Sequence, residues 1–516
     1  MRAARVIKQT VGSRANRREF LTLAAGGLAF ATLGRPQSAA AAEPLPPLPA
    51  GSGEVAGAGV QRFHSRPDLL APQVVIDQPA RLPIRGRVIT ETHLGAPLAG
   101  PLIIDPSGRI IWFNPVADKP SAPVKAFNVR VQRYQGRPVL CWFEGVVAGG
   151  HGVGYGQGSY KIVDESYREV AQVSAQNGFQ GDLHEFLLTP QGTALFTCYG
   201  QSTGQIRVGG TMRTVPYYFG VVQEVDVASG KLLWQWRSDH HVRLSESYAT
   251  PVLKPGWIWD YMHINSITVD PSDQNLIVSG RNTSTCYKIN RRSGRIMWRL
   301  GGKHSDFRMG RGTRFNYQHD VEMHPGGVLS VFDNEGGPPQ FAAHSRALVL
   351  LVDERRRQVR LKHAFHHHPP VYSNALGSVQ PLGGDTWFVG WGRSTSFAQY
   401  AGSGALQFEG HLSPGSSSYR AFLQQWDGRP TAPPDIAVTR SGSAATVYAS
   451  WNGSTEVAQW IVLGGSTPST LAQLGRAALA GFETAIMLTN APPYLAVSAC
   501  AADGSVLGTS HVVTGG

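Results

Sequence analysis

Three histidines of the 516-residue chain occupy one register of a repeat: His184 opens HEFLLTPQGTALFTCYG, His263 opens HINSITVDPSDQNLIVSGRN and His319 opens HDVEMHPGGVLSVFDN. Imidazole can attack an electrophile, move a proton or bind a metal. Arg281, eighteen residues after His263, adds a planar fork of donors that stays charged. A single histidine is usually structural; three at one register facing an arginine predict a site. Each phrase reads as a strand, a Gly- or Pro-marked turn and a second strand. An antiparallel partner ends where the first strand begins, so Arg281, Asn282, Asp333 and Asn334 are expected at the same mouth as the histidines. Asp320 and Asp333 are candidates to orient His319, and Trp257, Trp259 and Tyr261 to stack on a ligand or pack a strand.

Two repeats supply the elements that must hold these residues. Apolar strand, acidic turn and apolar strand recur as PLIIDPSGRIIWF (101–113), YKIVDESYREVAQV (160–173), VQEVDVASGKLLWQW (222–236), YKINRRSGRIMWRL (287–300) and VLLVDERRRQVRL (349–361). Their markers Asp105, Asp164, Asp226, Asn290 and Asp353 are 59, 62, 64 and 63 residues apart. A degenerate copy, SGALQFEG, follows at 403–410. The histidine phrases, with NVRVQRYQGRPVLCWFEG (128–145) and the stretch ending GDTWFVGWGR (384–393), alternate with these hairpins. Such a period with β character predicts an all-β, six-bladed β-propeller over residues 60–428, its inner strands lining a central channel. After Pro433-Pro434, short strands such as DIAVTRSG and YLAVSACAADG predict an appended fibronectin- or immunoglobulin-like β-sandwich over 432–516.

Outside the repeats, residues 1–42 hold Arg17-Arg18-Glu19-Phe20-Leu21, a short apolar stretch and small residues before Glu43. This reads as a twin-arginine signal peptide, so the protein is expected to be secreted or periplasmic, with the export machinery as a partner and no stable membrane anchor. Residues 43–59 read as a linker. Without the leader, 40 basic face 34 acidic residues, net +6 rather than +12, and no basic–aromatic module suggests nucleic acid. Cys141, Cys198, Cys286 and Cys500 show no metal spacing and read as buried thiols, one bridge staying possible. His363, His366, His367 and His368 sit beside Pro369-Pro370 and read as a solvated connection, His324 as turned away from the channel, and His151 as part of an inter-blade loop.

The ordered set FHSRPDLLAP, GDLHEFLLTPQGTALFT, YMHINSITVDP, RNTSTCYKINRRSGRIMWRLGGKHSDF, YQHDVEMHPGGVLSVFDN and WFVGWGR resembles the arylsulfotransferase family across residues 60 to 430. The resemblance implies an exported enzyme that moves a sulfuryl group from a phenolic sulfate donor to a phenolic acceptor through a sulfohistidine, without a nucleotide donor, cofactor or metal. It implies His319 as nucleophile, His184 and His263 as proton carriers, Arg281 on the sulfate oxygens and Asn265 on an imidazole or the sulfate. Two alternatives stay open: a metal-dependent enzyme built on the three histidines, and a non-catalytic propeller that binds a glycan or a protein.

Overall fold

The computed structural model describes residues 45–57, 59–93, 99–116, 118–119, 122–150 and 154–514. The expected leader, 1–42, and His151 lie outside them. The fold is all-β. The hairpin repeats build antiparallel sheets because their Val, Ile and aromatic residues suit pleated, half-buried faces, while acidic residues and glycines close the turns: Asp226, for example, accepts from Ser229 N (2.8 Å) ahead of Gly230 at φ 70°.

Six of these sheets follow the repeats. The first contains Arg87–Thr92, Gly100–Ile104 and Ile110–Phe113, and its inner edge is the late strand Phe422–Gln424. The second runs Lys125–Tyr134, Arg137–Ala148, Tyr155–Val163 and Glu169–Val173; the third Gly181–Leu188, Thr193–Val208, Thr211–Asp226 and Leu232–Arg237. A single pairing, Gly158 with Gly181, joins these two. The fourth is Ile264–Val269, Leu276–Gly280, Thr285–Ile289 and Ile296–Gly301, and the fifth is His319–His324, Val328–Asp333, Arg346–Asp353 and Gln358–Phe365. The sixth, Ser378–Gly383, Thr386–Gly390, Ser396–Ala401 and Leu406–Leu412, takes the early strand Val74–Gln78 on its outer edge. Both ends of the repeat region thus add a strand to a sheet built by the other end.

Side chains of the inner strands, with Tyr199 of a second strand, stitch each sheet to the next. Gln424 exchanges two bonds with the backbone of Val131 (2.7 and 3.1 Å), Gln132 bonds Phe186 O and Leu188 N, and Gln380 exchanges two bonds with Leu423. Tyr199 reaches Ile264 O, Ser266 accepts from Val321 N, and Asp320 accepts from Val379 N. The seams therefore run 1 to 2, 2 to 3, 3 to 4, 4 to 5, 5 to 6 and 6 to 1. Gln424→Ala leaves both backbone groups of Val131 without their side-chain partners, and is expected to cost about 1–3 kcal/mol, read as a lower urea midpoint.

Two further sheets share one apolar core built on Val447, Trp460, Val462, Ile486 and Val497. One has the order Ala50–Ser52, Glu483–Leu488, Ala444–Ser450, Asp435–Ser441; the other is centred on Gln459–Gly465 and Tyr494–Cys500. Alternating burial along Gln459–Gly465 matches the sequence pattern. The stretch 45–57, read as a linker, instead contributes Ala50–Ser52 as an edge strand paired with Thr484–Ile486. Asn452 docks this unit on the first sheet, bonding Phe113 N and O (3.0 and 2.9 Å) at an edge that would otherwise be open. The four cysteines are free and buried.

Candidate active site

The inner strands of the second to fifth sheets carry irregularities at their starts. Pairing shifts between Phe127 and Arg130, Gly181 and Phe186, Ile264 and Ser266, and His319 and Glu322. Asn128, His263 and Asp320 take left-handed φ of 58°, 52° and 48°. Bulges of this kind re-aim side chains, and backbone strain of this kind persists where surrounding structure holds it.

The re-aimed side chains are the histidines. His184, His263 and His319 are all buried, and one ring nitrogen from each lies within 4.8 Å of the others. The His184 and His263 rings meet edge to face at 4.8 Å, and His184 and His319 lie 6.5 Å apart. Each Nδ1 is engaged behind the site: His184 on Asp182 Oδ2 (2.8 Å), His263 on Asp260, and His319 on Asn334 Oδ1 (2.7 Å). The Asn334 amide is fixed because its Nδ2 donates to Ser373 O and Leu376 O (2.7 and 2.8 Å). Its oxygen must therefore face His319, so Nδ1 carries the proton and Nε2 presents a lone pair. Carboxylates at His184 and His263 impose the same tautomer.

The partners differ in charge. Burial pushes the His319 pKa well below its usual value, and the Arg281 cation pushes the same way; only the neutral Asn334 opposes them. Burial also lowers that of His263, against the pull of Asp260. Burial works against ionisation of Asp182, yet His184, Gly156 N and Thr197 hold its carboxyl below its usual range. His319 is thus held as a neutral imidazole, backed by an amide, whereas His184 and His263 are backed by carboxylates.

Arg281 completes the group. Nη1 bonds Asn282 Oδ1 (2.8 Å), Nη2 bonds Asn374 O (3.3 Å), and the guanidinium lies 4.7 Å over the Tyr317 ring. Among the described residues its Nε has no hydrogen-bond partner and no carboxylate forms an ion pair with it. Its charge is therefore available to an anion. Histidines and arginine line a cavity of about 330 Å³, with Phe127, Val146, Val147, Leu183 and Leu376 as apolar walls and His93, Lys125, Arg393 and Ser417 as polar ones. A wider groove of about 1040 Å³ around Arg81, Gln380 and Gln407 gathers no imidazole or carboxylate.

A buried ionic cluster adjoins the cavity. Arg420, fully buried, pairs with Glu185 (3.1 Å) and Asp320 (3.2 Å), Arg130 pairs with Glu185 and Glu322, and the Tyr419 hydroxyl donates to His184 O (3.1 Å). Two guanidiniums face three carboxylates here, and burial pushes the Asp320 pKa up to about 7 and raises that of Glu322 as well.

Several expectations need correction. Asn265 spends its amide on Gln318 O (2.6 Å) and does not line the cavity; it positions the strand that bears His319. Asp320 turns to Arg420 and Asp333 to Arg346 (2.9 Å), so Asn334, not either aspartate, orients His319. Trp259 and Tyr261 pack in the core, and neither they nor Trp257 line the cavity. His324 bonds Ser330, His363 bonds Asp385, and His367 pairs with Glu409, so those histidines do not converge. His363 belongs to the strand Gln358–Phe365 rather than to a connection. The cavity residues His93, Lys125, Arg393 and Ser417 were not anticipated. His93 and Arg393 follow the second strands of their sheets, as Arg281 does, and that register would have identified them.

Solved structures with partial likeness include a periplasmic gluconolactonase of Pseudomonas aeruginosa (13% identity, TM-score 0.34, 84% of this chain and 96% of that one). Another is a Bacteroides caccae protein of unknown function (11% identity, TM-score 0.38, 65% and 98%). These likenesses are too distant to bear on function. No curated protein matches the chain. The family model described as Arylsulfotransferase (ASST) matches residues 130–412, more than half of the sequence and the span that bears all three histidines and Arg281. The chain belongs to the arylsulfotransferase family.

Proposed function

We propose that the protein transfers a sulfuryl group from an aryl sulfate to a phenol in two steps, with His319 as the covalent carrier. The observation that supports this most strongly is the set of three buried imidazoles presenting Nε2 beside an arginine with no ion-pair partner among the described residues. In the first step the Nε2 lone pair attacks sulfur, the N–S bond forms and the ester S–O bond breaks. The departing phenolate oxygen takes a proton from the His184 imidazolium. In the second step the acceptor phenol returns a proton to His184, its oxygen attacks sulfur, and the N–S bond breaks to restore His319. Arg281 holds the non-bridging oxygens, where charge is spread in the loose transition state. One site serves both steps.

The wider proposal is a six-bladed propeller closed by Phe422–Gln424 and Val74–Gln78, with a fibronectin-like sandwich on its edge and export through the twin-arginine route. Its support is the ring of seams, the paired sheets and the sequence of residues 1–42. A metal centre on the same imidazoles is the second reading, favoured by their convergence and weakened by the arginine cation beside them.

The assay uses 4-nitrophenyl sulfate with and without a phenol, after metal analysis of the purified protein. Sustained turnover only with the phenol supports transfer. Turnover with water alone, or activity lost with a chelated ion, contradicts it. The burst of 4-nitrophenol also reports His319: because burial lowers its pKa, the neutral nucleophile persists as the pH falls through the usual imidazole value of about 6.5. The burst should keep its rate there; a one-proton loss centred near 6.5 would contradict the assignment.

A further inference from the structure

We infer that Tyr317, backed by Gly336 and Gly337, is a positioning residue for Arg281: it fixes the plane of the guanidinium and so the direction in which its donors meet sulfate oxygens. This deepens the sulfuryl-transfer reading and rests on it. The guanidinium lies 4.7 Å over the Tyr317 ring. A cation on an aromatic face is attracted by the ring quadrupole, and contact through the face leaves the donors on the planar edge free to bind. Nη1 and Nη2 are held by Asn282 Oδ1 (2.8 Å) and Asn374 O (3.3 Å), and Nε has no partner among the described residues.

Space, not backbone conformation, requires the two glycines, since neither takes a left-handed φ. A Cβ at Gly337 would stand 2.7 Å from Tyr317 Cζ, and one at Gly336 would stand 3.0 Å from Tyr317 Cβ and 2.6 Å from Asn374 O. That carbonyl is the one that accepts from Arg281 Nη2. The pair therefore abuts both the ring and the carbonyl that hold the arginine, closer than a side chain would allow. Tyr317 itself sits at φ 50°, a left-handed conformation that a bulky residue keeps only where its surroundings hold it. The glycine segment is pinned in turn: Asn316 Nδ2 donates to Gly337 O (2.7 Å), and the Tyr372 hydroxyl donates to Glu335 O (3.1 Å). Tyr317 lies two residues before His319, and Gly336 two after Asn334. The two segments that set the imidazole of His319 thus also set the guanidinium of Arg281.

The test titrates inorganic sulfate and 4-ethylphenol calorimetrically against the purified protein, and measures kcat/KM for transfer from 4-nitrophenyl sulfate to 4-ethylphenol. Tyr317→Leu should weaken sulfate binding by about 10- to 30-fold and lower kcat/KM at least as much, with 4-ethylphenol bound as tightly as before. Tyr317→Phe keeps the ring and should stay within about 3-fold of wild type. Gly336→Ala should reproduce the leucine pattern, because its Cβ displaces Asn374 O or the ring. A leucine variant that binds sulfate as wild type does, or a phenylalanine variant as weak as the leucine one, overturns the inference. So do equal losses of sulfate and phenol binding, and failure of wild type to bind either. Selective loss of sulfate binding, restored by phenylalanine, in a protein that transfers nothing to the phenol would uphold the platform and refute sulfuryl transfer.

Discussion

Replacing His319 by alanine is expected to abolish the burst of phenol from an aryl sulfate and to cut steady transfer at least about 10,000-fold, the scale on which enzymes lose a covalent nucleophile. The effect follows from the tautomer. Asn334 fixes the Nδ1 proton of His319 from a position that is itself locked by two backbone carbonyls, so the lone pair on Nε2 is permanently aimed into the cavity. Among the described residues no carboxylate supports a charge on this ring, and burial disfavours one. His184→Ala should be milder, about 100- to 10,000-fold, because it removes a proton carrier and leaves the nucleophile. Rapid-mix assays separate the two: the His184 variant keeps a slow burst, whereas the His319 variant has none. Equal bursts from wild type and His319→Ala would refute the role of His319.

Arg281→Lys should be nearly as damaging as Arg281→Ala, with about 100- to 1,000-fold lost from kcat/KM. Asn282, Asn374 and Tyr317 hold the guanidinium by its edge and face. An ammonium cannot satisfy those partners and present a planar pair of donors to two sulfate oxygens at once. The loss should appear with every aryl sulfate, whatever its ring substituents, because the contact is to the transferred group. A lysine variant within a few-fold of wild type would mean that charge alone suffices.

The histidine positions were legible because a repeated strand start maps each residue to an equivalent place in successive sheets. What the repeat could not convey was local geometry at the bulges. Period-2 alternation would set Asn265 on the face of His263, but the shift between Ile264 and Ser266 breaks that relation, and the amide goes to Gln318. Alternation does explain why Asp333, next to Asn334, turns to its cross-strand neighbour Arg346 instead of His319, whereas Asp320 sits in the shifted stretch at left-handed φ and goes to Arg420. Tyr419 and Arg420 lie in a segment without repeat character, and only the long-range pairing of Phe422–Gln424 with Arg87–Thr92 brings them under the histidines. The edge strand Ala50–Ser52 was equally invisible, since its partners follow it by more than 400 residues.

A sulfuryl group on one particular nitrogen is the direct signature of two-step transfer. Purified protein mixed with an aryl sulfate and no acceptor, quenched in base and digested, should yield a single peptide heavier by one SO₃ unit. Fragmentation should place the added group on His319, and it should be stable in alkali, lost in acid and discharged by added phenol. Modification of His184 or His263 instead would contradict the assignment, and transfer without any modified peptide would contradict the two-step mechanism.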